Sequence, residues 1–132
     1  MEKYYTPKEE DLHIGYICEY RCVKISGVGI KEYHDWKPIT IDWGWLTYDE
    51  EIQFRTKYLD SENIEKEGWE SEQYTKNKEI CLQYKYKDWH LVYWFGETPY
   101  IELTKDEYDT NYQGQCKSIN EFRKICKWLN IK

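Results

Sequence analysis

Cys18 and Cys22 stand four residues apart, with three between them, and two thiols on one helical face would be half of a zinc site. The surrounding pattern predicts a strand instead, on which they lie about 13 Å apart at roughly 3.3 Å per residue. Cys81, Cys116 and Cys126 supply no second ligand pair. The expectation is small apolar core residues, with no metal and no other cofactor. The odd count and irregular spacing suit reduced thiols better than a disulfide framework. His34 beside Asp35 would orient an imidazole, with a cysteine as nucleophile. Against that stands the lack of any Gly-x-Ser-x-Gly, His-Glu-x-x-His or Walker sequence. Gly27-Val28-Gly29 is too short for a phosphate cradle, and Asp49-Glu50-Glu51 reads as a solvated turn. The residues point to a protein that is not an enzyme.

The aromatic residues carry the stronger signal. The chain has 14 Tyr and 7 Trp and lacks alanine altogether, so rings must supply much of the core. They are also the groups that stack on a base or fill a protein pocket. Strand patterns assign Trp43, Trp45, Trp89 and Trp94 to buried faces, and Trp69 to a helix ending. Trp36 has no such role. It follows Tyr33 and His34 in an expected loop, and loops on a rigid scaffold often carry function. Tyr33, His34 and Trp36 are the expected ligand-binding residues.

These residues need elements to position them. Thr6-Pro7-Lys8-Glu9 predicts a short helix over 7–12, capped by Thr6. A strand over 13–25 would place Ile14, Tyr16, Cys18, Tyr20 and Cys22 on one face. Residues 31–38 read as a loop. Ile39, Ile41, Trp43 and Trp45 alternate, as do Ile52, Phe54, Thr56 and Tyr58, which predicts two half-buried strands. Asp60 or Ser61 would cap a helix over 61–67, with Gly68 in the left-handed position past its end and Trp69 beyond. The polar run 70–78 reads as an exposed loop. A hairpin turning at Lys87-Asp88 pairs Ile80 with Phe95, Leu82 with Tyr93, Tyr84 with Leu91 and Tyr86 with Trp89, all apolar on one face. A third strand, 100–104, would set Ile101 opposite Trp94 and Leu103 opposite Val92. That register buries the strand 89–95 on both sides. Ser118 opens a C-terminal helix as a capping box with Glu121. Its stripe of Ile119, Phe122, Ile125, Cys126 and Leu129 would cover the second side. The fold class expected is α+β: an antiparallel, twisted or barrel-like sheet of about five or six strands packed by that helix. Length suits a single domain, 1–132.

Net charge is −6, while residues 117–132 carry five basic groups and one acid. The acidic balance elsewhere argues against general nucleic-acid binding. No apolar run is long enough to span a membrane, and Met1 to Pro7 lacks the apolar core of an export signal. A cytoplasmic protein is expected.

Residues 57–69 and the stretch from Cys116 to Leu129, with Thr6-Pro7 and the strand after it, resemble a group of small uncharacterised proteins. Phages and mobile elements of Bacteroides-type gut bacteria encode them. The resemblance covers about half the chain as an ordered pattern. It implies a phage-like accessory gene, in keeping with a composition rich in Lys, Ile and Tyr, whose codons are AT-rich. No activity or site residue comes with it. The expected function is binding: sequestering a small nucleotide-like molecule, or blocking a host protein to counter host defence. A minor virion or assembly protein is the alternative, and a small nucleotide-directed enzyme the third reading.

Overall fold

The computed structural model describes residues 3–25, 27, 29, 31–42, 52–72, 81–105 and 110–131. The chain is α+β and divides into two compact units, Met1–Lys57 and Tyr58–Lys132. The described strands form two antiparallel five-stranded sheets rather than one sheet.

The first unit is organised by one long strand. β1 is Tyr4–Tyr5, β2 Ile17–Ile25, β3 Lys31–Tyr33, β4 Lys37–Thr40 and β5 Ile52–Lys57. β2 pairs with β5 along one edge, and β1 adds beyond β5. Along its other edge β2 takes β4 and then β3. Most of the stretch read as a loop is therefore strand. Tyr33 stands opposite Val23 and Lys37 opposite Tyr20, so three residues, His34 to Trp36, face two, Arg21 and Cys22. That is a bulge; it breaks the period-2 pattern, which is why the sequence reads as irregular there. Pro38 is tolerated because β4 has no strand beyond it among the described residues.

The sheet's two faces differ sharply. Tyr16, Cys18 and Ile41 are buried, with Leu12, Ile39 and Phe54 packed against them. The hydroxyls of Tyr16 and Thr56 share a buried hydrogen bond of 2.7 Å. Burial pushes the Tyr16 phenol well above its ordinary range, and the Cys18 thiol up to about 11. Ile14 does not join this face; it lies in a turn before β2 and is exposed. The early helix shrinks to a 3₁₀ turn, Glu9–Asp11. Its cap is not Thr6: the Asp11 carboxylate accepts from the Lys8 N–H at 3.0 Å. Trp43, Trp45 and the turn 49–51 lie outside the described residues.

In the second unit, strands follow one another across the sheet in chain order. β6 is Glu70–Ser71, β7 Cys81–Tyr86, β8 Trp89–Trp94, β9 Tyr100–Lys105 and β10 Thr110–Gln115. β7 and β8 pair as the sequence predicts, from Tyr86 opposite Trp89 to Leu82 opposite Tyr93. Lys87 takes a φ of 52° at the turn. Ile80 lies outside the described residues, and Phe95 is exposed. The β8–β9 register differs from expectation by one residue: Tyr93 faces Ile101 and Leu91 faces Leu103. A one-residue slip moves every side chain to the other face. Ile101 and Leu103 thus join Tyr84 and Leu91 in a single core face, all at 0–1% exposure. The other side of β8 shows half-buried His90, Val92 and Trp94. The run after Trp69 is not wholly loop either, since β6 pairs with the edge of β7.

Two helices cover the core face. α1, Ser61–Lys66, is capped by Asp60, whose carboxylate accepts from the Asn63 N–H at 2.9 Å. Gly68 follows at a φ of 96°, and Trp69 is buried behind it. The Tyr93 hydroxyl crosses from β8 to donate to the Leu59 carbonyl at 2.7 Å. α2, Ile119–Trp128, buries Ile119, Phe122 and Ile125. Ser118 sits at the cap, but Glu121 accepts from the Lys117 N–H at 2.6 Å, one residue earlier than a capping box places it. α2 ends in a Schellman turn: Asn130 has a φ of 58°, its N–H donates to Lys127, and the Ile131 N–H donates to Cys126.

Candidate functional site

The solvent side of the first sheet is built from the odd-numbered residues of β2 and β5. Register places Glu19 beside Arg55 and Arg21 beside Gln53. Tyr33 of β3 and Tyr4 of β1 fall on the same side by the same parity. The bulge turns Trp36 back over this face. The result is a stack of five planar groups. The Arg21 guanidinium lies 4.4 Å from the Tyr33 ring and 4.5 Å from the Trp36 ring. The Arg55 guanidinium lies 4.5 Å from the Trp36 ring and 3.8 Å from Tyr4. Rings and cations alternate, each cation facing the negative π-surface of its neighbours.

Hydrogen bonds hold the two arginines in place. Arg21 Nε donates to Gln53 Oε1 at 2.7 Å. Arg55 Nε donates to Glu19 Oε1 at 2.7 Å, and its Nη2 approaches the same oxygen at 2.6 Å. Glu19 thus balances Arg55. Arg21 has no carboxylate partner among the described residues, and only its Nε is hydrogen-bonded among them. The chain uses only three arginines against sixteen lysines, and two of them are here. A lysine cannot replace either one, because only a planar guanidinium stacks and forks in this way.

Of the residues expected to bind, Tyr33 and Trp36 are brought together and His34 is not. Tyr33 is half exposed and Trp36 half-buried. His34 is exposed; its N–H holds the bulge by donating to the Cys22 carbonyl at 3.1 Å. No hydrogen bond joins the His34 ring to Asp35 among the described residues. Cys18 and Cys22 lie on the opposite side of the sheet from Tyr33 and Trp36 by parity. The described residues bring together no group of three or more metal-ligating side chains, and none of their helices is long and apolar enough to cross a membrane.

Trp36 is not the chain's most exposed tryptophan. Trp128, on the outer side of α2, is 69% exposed, with the Lys124 ammonium over its ring. The arginines were the part of the site that sequence reasoning missed. Their rarity in a lysine-rich chain was the signal available. What fold and site define is an α+β protein with a preorganised arginine–aromatic surface. Comparison with protein families, with curated proteins and with solved structures finds no match for the chain.

Proposed function

We propose that this chain acts by binding, without turnover, and that its working surface is the stack of Tyr33, Arg21, Trp36, Arg55 and Tyr4. The partner is a protein that presents carboxylates. The observation that carries this reading is the placement of Trp36 between two guanidinium groups beside a half-exposed tyrosine. Trp, Tyr and Arg are the residue types that dominate binding hot spots. Fixing the arginines before binding lowers the entropy cost of using them. The unbalanced charge of Arg21 favours an acidic surface opposite. Three cysteines, Cys18, Cys116 and Cys126, have thiols raised by burial, which makes them poor nucleophiles. The resemblance to phage-encoded proteins supplies the setting: an accessory protein that blocks a host component, such as a defence protein.

A photo-crosslinking residue at position 33, tested in a bacterial host, decides the matter. The expected result is one dominant adduct, lost on Arg21→Gln and absent when the crosslinker replaces Asn111. Adducts of equal pattern from both positions, or none from position 33, would end this reading. An adduct with capsid proteins in purified particles would replace it with a virion role.

A further inference from the structure

The second unit contains a hollow of about 370 Å³, within the size range of small-molecule sites. Its floor is Trp69 and Phe122, whose rings meet edge to face at 5.9 Å. Tyr86, tilted against Trp69 at 5.4 Å, makes one wall. Ile131 makes another, brought there by the Schellman turn that ends α2. The turn at Gly68 runs close to the Tyr86 wall: a β-carbon there would lie 3.4 Å from that ring. Two helix endings beside the hollow, at Gly68 and Asn130, use left-handed residues to fold the chain back.

Three charged residues line the rim. Arg123 and Lys127 lie four residues apart on α2 and both line the opening. Glu67 sits across from them and is tied to Arg123 through both carboxylate oxygens. That pair is internally neutral. Lys127 has no carboxylate partner among the described residues, so the opening carries one uncompensated positive charge. The setting reinforces it, since residues 117–132 carry five basic groups and one acid. Cys126 also lines the hollow. Burial first, and then the charge of Glu67, push its thiol up to about 12, so it adds no anion.

We infer that this hollow binds a small planar aromatic molecule carrying one acidic group, the ring against Tyr86 and Trp69 and the acid at Lys127. The aromatic walls supply stacking area, and the single free ammonium fixes orientation. Carboxylate and phosphate are equivalent in this chemistry. The site is independent of the arginine–aromatic stack.

Isothermal titration of the full chain with three probes tests it: indole-3-acetate, adenosine monophosphate and neutral indole. At least one acidic probe is expected to bind one to one with Kd below about 1 mM, and the better of the two identifies the acid. Lys127→Gln, a change at an exposed position, is expected to weaken that probe about five- to tenfold and to leave indole unchanged. Nuclear magnetic resonance shifts should centre on the Trp69 indole N–H. Absence of binding by both acidic probes, an unchanged affinity in the variant, or shifts centred elsewhere would overturn the inference.

Discussion

Replacing Trp36 by leucine separates a stacked surface residue from a plug that closes the sheet. Each cation–π contact at a partly exposed site is worth about 0.5–1 kcal/mol. Trp36 makes two, with Arg21 and Arg55, and leucine retains much of its apolar burial. The expected loss is therefore about 1–2 kcal/mol. A fully buried tryptophan reduced to a small side chain would cost about 3–5 kcal/mol. The sharper measure is a double-mutant cycle. Trp36→Leu combined with Arg21→Gln, and separately with Arg55→Gln, should each show a coupling of about 0.5–1 kcal/mol. Urea unfolding followed by far-ultraviolet circular dichroism is the suitable assay, because the variant loses a fluorophore. A loss above about 3 kcal/mol with no coupling to either arginine would refute the stack and make Trp36 a plug.

Leu91→Ala should cost about 2–5 kcal/mol and Val92→Ala under about 1.5 kcal/mol, because Leu91 is fully buried and Val92 half-buried on the other face; equal losses in urea unfolding would contradict the assignment of the core to the Leu91 face. Gly68→Ala should cost about 1–2 kcal/mol, since its φ of 96° is unfavourable to any β-carbon; a variant as stable as the parent in the same assay would show that the turn relaxes. Stability should fall as pH rises from about 9 toward about 12 in the presence of reductant. The Cys18 and Cys126 thiols, ordinarily near 9, are held up to about 11 and about 12 in the fold, and the Tyr93 phenol to about 12. Their burial as neutral groups stabilises below the unfolded values and is lost as pH rises through the folded ones. A flat or rising denaturation midpoint over that range would contradict the burial of these groups.

The β7–β8 hairpin was legible because one face of both strands is apolar at one register only. α1 and α2 were legible from their caps and their spacing of three and four. The β8–β9 pairing was not, because both faces of β8 offer apolar partners: Leu91 and Tyr93 on one, Val92 and Trp94 on the other. Either register satisfies Ile101 and Leu103 locally, and only the helices on one side decide between them. β3 and β4 were hidden by the bulge at His34 to Trp36, which reverses side-chain parity halfway along. β10 gives no apolar alternation, being Thr-Asn-Tyr-Gln-Gly-Gln. The site was half legible. Tyr33 and Trp36 stand out by elimination, but Arg21 and Arg55 are brought near each other only through a β2–β5 pairing that joins residues thirty or more positions apart.

The two sheets also differ in when they can form. Every neighbour in the second sheet is also a neighbour in sequence, so each strand can pair as soon as the next one has been made. β2 is different: its inner partner, β5, comes at Ile52–Lys57, after β3 and β4 have already paired along the other side. As the chain leaves the ribosome, amino end first, β2 is half of a hairpin with an open edge until Lys57 has emerged. For that interval its row of unpaired amides is a template for any extended segment nearby. The Arg55 rung, which would lock a stack drawn from four strands, arrives last. The first unit therefore passes through its most association-prone stage during synthesis, and variants that delay β5 should lower the yield of soluble chain more than they lower the stability of the finished fold.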